Sequence, residues 1–332
     1  MENVIVEFKN VSVDYEMKHL TLHACSNISM PLVKGKITAL VGESGSGKTT
    51  LATSLLNCIT APGRVSAGEV LLHSEKSGKT INVTALPPDQ LNAFRWNNVS
   101  MVFQGAQSAL NPIVTVFNQF YETLQVHNVK LSKKEARERF ARLLEKLNLA
   151  PTVLDSYPHE ISGGMKQRVM IAFSMLLEPE VIILDEPTTA LDVITQNYIF
   201  SLLKAINREN GTTMLLLTHD IAVVAEYADY MGIMYGGRLM EYGSVKEVFK
   251  HTYNPYTRGL ICSTPSLKKD NSEIRPIPGT PVDITNLPPG CGFAQRCEDC
   301  MDICHECIPV DVEVQKGHFV KCHKFGEGGR HA

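Results

Sequence analysis

The most restrictive feature of the chain is a short apolar run, Ile37 to Val41, followed at once by Gly42-Glu-Ser-Gly-Ser-Gly-Lys48-Thr49. This is the GxxxxGK[ST] spacing in the strand–loop–helix context that the motif requires. Glycines let backbone N–H groups curl round an anion with no Cβ in the way, and a helix beginning after the loop adds the partial positive charge of its N-terminus. Lys48 supplies a point charge for β- and γ-phosphates, and Thr49 offers a hydroxyl to Mg2+. A merely Gly-rich turn is the bland alternative, and two further motifs weigh against it.

The second motif is Val181-Ile-Ile-Leu184-Asp185-Glu186-Pro187. An apolar strand ending in two carboxylates presents them at the carboxyl edge of a parallel sheet, where ligands bind in such folds. Asp185 is placed to hold Mg2+ through water, and Glu186 to polarise the water that attacks a γ-phosphate. Alone, such a pair is more often the start of a solvated loop. The third motif is Ile161-Ser162-Gly163-Gly164-Met165-Lys166-Gln167-Arg168, with Ser162 in an N-cap position and two glycines exposing a helix start to an anion.

The remaining pattern fits an α/β chain. Val4 to Phe8 alternates, Glu69 to Leu72 and Met214 to Leu217 read as strands, and Gly236-Gly237 signals a hairpin. Ser132 with Glu135 makes a capping box ahead of Ala136, Phe140, Leu143, Leu144 and Leu147, which predicts an amphipathic helix over about 132–148. A second helix is expected from about Gly163 through the apolar stretch ending at Leu177. Prolines at 265, 276, 278, 281, 288 and 289 mark a linker or wrapping segment.

In this order, the phosphate loop, ISGGMKQRV and VIILDEPTTALD resemble the nucleotide-binding subunit of an ATP-binding-cassette (ABC) importer, over nearly the whole chain. The resemblance implies a P-loop NTPase cassette with a mixed sheet core at 1–255, including a helical subdomain at about 106–178; a Pro-rich segment at 256–290 and a small Cys-rich extension at 291–332 follow. It implies that ATP is bound by Tyr15 (stacked on adenine), Gly42, Ser44, Gly45, Gly47, Lys48, Thr49, Thr50 and Asp185. Mg2+ falls to Thr49, Gln104 and Asp185, and catalysis to Glu186, His219 and Gln104. Ser162, Gly163, Gly164 and Asp192 are assigned to the composite ATP site of a second nucleotide-binding subunit. ATP then acts as glue between two such domains, and hydrolysis lets them reopen. Tyr15 as an ordinary strand residue stays open as an alternative.

Gln104-Gly-Ala-Gln-Ser-Ala-Leu-Asn-Pro112, His159-Glu-Ile-Ser-Gly-Gly-Met165, Asn254-Pro-Tyr-Thr-Arg258 and Ile277-Pro-Gly-Thr-Pro281 resemble the dipeptide/oligopeptide branch of these importers. This implies two membrane permease subunits, a heterodimeric second ATPase subunit and, indirectly, an extracytoplasmic substrate-binding protein. Gly105, where an acidic residue is usual, and Ile161, in place of Leu or Phe, remove no catalytic group.

Six of the nine cysteines fall between Cys291 and Cys322, a clustering that favours a metal site over disulfides in a reducing cytosol. Cys291, Cys297, Cys304 and Cys322 follow C-x5-C-x6-C-x17-C and resemble the branch's C-terminal [4Fe-4S] motif, with Gln295 where Pro is usual. The extra Cys300 and Cys307 create two CxxC pairs, so a structural Zn2+ site stays open as the alternative.

Charge narrows the function further. The 32 basic and 35 acidic side chains give a net −3, which is a poor footprint for a nucleic-acid binder, so no nucleic-acid partner is expected. No apolar stretch reaches bilayer-spanning length and the N-terminus lacks a signal-peptide pattern, so the expected place is peripheral, on the cytoplasmic face of the cell membrane. The rival functions are the same motor with nickel or oligosaccharide as cargo, and a soluble cassette ATPase of DNA repair or translation.

Overall fold

The computed structural model describes residues 3–189, 191–264 and 276–326; Ala190, residues 265–275 of the Pro-rich stretch and the last six residues of the Cys-rich tail lie outside the described residues. The chain divides into two compact units that do not follow chain order. One comprises residues 1–73, 80–84 and 217–332, the other residues 74–79 and 85–216. No helix among the described residues is long and apolar enough to cross a membrane.

The first unit holds two sheets. In one, the order is Leu20–Val33, Val4–Met17, Gly63–Ser74 and Lys79–Asn82, with the first three antiparallel. Val6, Phe8, Val11 and Val13 are buried, so one face of Val4–Met17 turns inward, but the alternation slips by one residue between Phe8 and Val11. Asn10 supplies that slip with a left-handed φ of 51°, and Gly68 on the partner strand makes room, since a Cβ there would sit 2.4 Å from the Lys9 carbonyl oxygen. The bulge breaks the two-residue period, so the alternation visible in the sequence ends at Phe8.

The other sheet of this unit runs Asp311–Gln315, His318–Lys321, Arg238–Ser244, Tyr230–Tyr235 and Ile37–Val41. Ile37–Val41 pairs in parallel with Tyr230–Tyr235, and all five of its residues are buried, which is why it reads as a continuous apolar run. Gly236 and Gly237, at φ 53° and 73°, make the tight hairpin turn into Arg238–Ser244. The tail then continues the sheet, with Glu241 opposite Val320 and Tyr242 opposite Phe319. Val41, Ile233, Tyr235, Tyr256 and Phe293 share one buried cluster, against which Ile277, Val282, Cys291 and Cys297 pack. The described part of the Pro-rich segment therefore lies on the core of this unit.

The second unit carries Thr213–Thr218 up to Leu216, Val181–Asp185 and Val99–Val102, adjacent in that order, with the last two parallel. Its helices Val116–Val126, Lys133–Lys146 and Gly163–Met175 meet through aromatic rings, Phe120 standing edge-on to Phe140 at 5.2 Å and to Phe173 at 4.2 Å. The capping box is formed: Ser132 Oγ accepts from the Glu135 amide, and the Glu135 carboxylate accepts from the Ser132 amide at 2.8 Å. Gly163–Met175 buries residues on most sides in its second half, so no amphipathic stripe marks it in the sequence.

Candidate nucleotide site

The phosphate loop joins the buried strand Ile37–Val41 to the helix Lys48–Ser54. Gly47 turns the chain with φ 97°, and a Cβ there would lie 2.4 Å from the Ala24 carbonyl oxygen; at Gly42 it would lie 2.2 Å from the Met234 carbonyl oxygen. Any larger residue would push the loop off the sheet. Lys48 is buried, and its ammonium donates to the carbonyls of Gly42 at 2.7 Å and Glu43 at 2.9 Å and to Ser46 Oγ at 3.4 Å. The charge is thus held under the loop rather than left to swing in solvent. Ser44, Gly45 and Thr49 are exposed, while Thr50 is half-buried.

Two more candidate residues belong to this unit. Tyr15 lies half-buried opposite Leu22 and Gly63, and its ring covers the space a Cβ on Gly63 would take, 2.5 Å from Tyr15 Cε1. His219 is exposed just beyond the strand Thr213–Thr218, and Asp220 behind it caps the helix Ile221–Tyr227 by accepting from the Ala222 amide at 2.8 Å.

In the second unit, Asp185 is buried at the last position of Val181–Asp185, and Glu186 follows at a left-handed φ of 44°. A non-glycine residue is strained there, and the strain turns the Glu186 side chain out of the strand's alternation. Its Oε2 accepts from Gln104 Nε2 at 3.0 Å and from Thr189 Oγ1 at 3.2 Å. Two residues 82 positions apart are so brought together, whereas Thr189 as a partner of Glu186 was missed in the sequence. Its signal was the Thr three residues on, which also donates to the Glu186 carbonyl at 3.1 Å.

The signature residues sit at the start of Gly163–Met175. Ser162 Oγ accepts from the Met165 amide at 3.4 Å, Ser162 and Gly163 are exposed, and a Cβ on Gly164 would come within 3.3 Å of Thr195 Cγ2. Asp192 caps the helix Val193–Asn210, and hydrogen bonds from the Thr195 amide and hydroxyl hold its carboxyl below the usual range. Beside it, Val193 and Ile194 are 70% and 83% exposed, an apolar pair turned to solvent.

In the tail, Cys291, Cys297, Cys304 and Cys322 all line one small cavity of about 20 Å3 with Met240, Phe293 and Lys321. Cys300 and Cys307 do not line it; Cys300 Sγ instead lies 3.4 Å from His305 Nε2, and Cys307 is exposed. Burial pushes the thiols of Cys291 and Cys322 up and that of Cys297 up to about 12. Among the described residues no three His, Cys, Asp or Glu side chains gather closely enough to hold one metal ion, so the expected metal is not shown.

Residues 25–189 match the family described as ABC transporter, and residues 240–304 match the oligopeptide/dipeptide transporter C-terminal region. The chain is 40% identical over 327 residues to the dipeptide transport ATP-binding protein DppD of Caldanaerobacter subterraneus subsp. tengcongensis, covering 98% of each. It is 38% identical to the oligopeptide transport ATP-binding protein OppD of Salmonella typhimurium, covering 93% of this chain and 91% of that one. Among solved structures, the dimeric bacterial ABC transporter cassette MJ0796 superposes with a TM-score of 0.63 at 29% identity, over 73% of this chain and 99% of that one. The same cassette is also known in a post-hydrolysis state bound to ADP and Pi. With near-complete relatives at this identity, and a C-terminal region matched beyond the cassette, the chain belongs to the ABC transporter family of ATP-binding proteins, in its oligopeptide/dipeptide group.

Proposed function

We propose that the chain is the ATP-hydrolysing motor subunit of an importer for di- and oligopeptides, working on the cytoplasmic face of the membrane against two permease subunits. The observation that carries this reading is the combination of an ABC cassette with the oligopeptide/dipeptide C-terminal region in one chain whose relatives align from end to end. A second, non-identical nucleotide-binding subunit completes the pair, and an extracytoplasmic binding protein delivers the peptide to the permeases.

In this reading the loop from Gly42 to Thr50, with Ser44, Gly45, Gly47 and Lys48, wraps the phosphates, and Tyr15 stacks on the adenine. Thr49, Gln104 and Asp185 would hold Mg2+, whose chemistry is to neutralise charge on the phosphate oxygens. Glu186 orients the attacking water and takes its proton, held for that task by Gln104 and Thr189; His219 donates to the γ-phosphate. Ser162, Gly163, Gly164 and Asp192 serve the site of the second subunit, so each hydrolysis event loosens both.

For the tail we propose a [4Fe-4S] cluster rather than Zn2+. The four thiols of the C-x5-C-x6-C-x17-C set share one cavity, whereas the two CxxC pairs split between that cavity and the surface. Such a cluster would cross-link four points of the tail and can carry an electron. The test of the motor reading is reconstitution of the chain with its permeases and second subunit in liposomes. ATP-dependent uptake of a short peptide supports it; uptake of Ni2+ or an oligosaccharide but no peptide contradicts the cargo, and no ATP-driven uptake contradicts the motor.

A further inference from the structure

The phosphate loop carries a residue the phosphate chemistry does not ask for. Glu43 places a carboxylate on the very loop that must attract a polyanion, one residue after Gly42. In the structure this carboxylate is gripped from the tail: Arg296 Nη1 and Nη2 donate to its two oxygens at 2.8 and 3.0 Å, a bidentate pair spanning 253 positions. The Arg296 side chain is 6% exposed, and its guanidinium lies 5.7 Å from the centre of the Tyr235 ring and 5.8 Å from that of Phe293. Its Nε donates to the Pro278 carbonyl at 2.8 Å, and Nη1 also donates to Tyr235 Oη at 3.2 Å. Gly279, at φ 72°, passes so close that a Cβ would lie 3.3 Å from Arg296 Cγ. A second bond reaches the same loop residue, because the Glu43 amide donates to the Tyr256 hydroxyl at 3.2 Å.

Two sequence marks of the oligopeptide branch so acquire a physical task. Ile277–Pro281 cradles Arg296, and Asn254-Pro-Tyr-Thr-Arg258 brings Tyr256 to the loop. We propose that Arg296 and Tyr256 are positioning residues of the nucleotide site: Arg296 neutralises Glu43 and, with Tyr256, holds the first turn of the phosphate loop in its anion-binding shape. Without Arg296 the loop would present an unbalanced negative charge to ATP in a partly desolvated setting, where charge repulsion is strong. The tail is thereby a structural part of the ATP site. The inference rests on the reading that this loop holds the nucleotide.

The experiment measures Mg-ATP affinity of the full-length chain by calorimetry, alongside the thermal midpoint without nucleotide. Arg296→Met is expected to weaken binding about tenfold, and Arg296→Lys by less. The double variant Glu43→Gln/Arg296→Met is expected to recover to within about threefold of wild type, because the repelling charge has gone. A merely structural Arg296 would show no such recovery. Wild-type affinity in Arg296→Met, or a double variant no better than the single, overturns the proposal. Should Arg296→Met fail to fold, Tyr256→Phe takes over, since it removes one hydroxyl; unchanged affinity there overturns the brace. Lys48→Ala separates the two readings: if it too binds ATP normally, the phosphate-loop assignment itself falls.

Discussion

Glu241 tests how firmly the tail is built into the first unit. Its side chain has no exposure, and its carboxylate accepts from the Tyr253 amide at 3.0 Å, the Asn254 amide at 3.2 Å and His318 Nε2 at 2.8 Å. Glu241→Ala leaves these partners without their acceptor in a site that water does not reach. Each buried group so stranded costs about 1–3 kcal/mol, and breaking a buried pair about 3–5 kcal/mol in all. At about 2–4 °C per kcal/mol, the transition of this unit should fall by roughly 6–20 °C. Glu241→Gln keeps one acceptor oxygen and should lose only about 1–2 kcal/mol. Differential scanning calorimetry of the full chain reads both. A fall below about 2 °C for Glu241→Ala would refute the reasoning, because it would mean that these donors find partners elsewhere.

Other outcomes follow from the same geometry. Phe120→Ala, at a fully buried ring between Phe140 and Phe173, should destabilise the second unit by about 3–5 kcal/mol, read as a shift in its denaturant midpoint. Ser162→Ala should remove a helix cap worth about 1 kcal/mol, yet lower hydrolysis in the assembled transporter while ATP binding by the isolated chain persists. Cys304→Ser should abolish iron incorporation after anaerobic purification, whereas Cys300→Ser should not; zinc without iron in the wild-type chain would sink the cluster reading.

The parts legible in the sequence are those with strict local geometry. The phosphate loop, the cap at Ser162, the capping box at Ser132 and the Gly236-Gly237 hairpin each put a residue type where only that type satisfies the backbone, and each appears where the spacing put it. The strand Val4–Met17 was read short because Asn10 slips the period, a shift that depends on Gly68 far along the chain. The Arg296–Glu43 pair was missed for a related reason. Asn254–Arg258 and Ile277–Pro281 were visible as marks of a branch, but their use depends on a contact 253 positions apart. The available signal was chemical: an acid inside a phosphate loop needs a cation, and Arg296 stands directly before Cys297.

The central claim is that ATP is hydrolysed with Glu186 as the group that activates water. The direct measurement is ATP turnover by the assembled transporter carrying Glu186→Gln, beside Mg-ATP binding by the same preparation. The carboxamide keeps the contact with Thr189 but cannot take a proton. The account predicts wild-type ATP affinity with turnover reduced at least about 100-fold. Turnover within about twofold of wild type would contradict it.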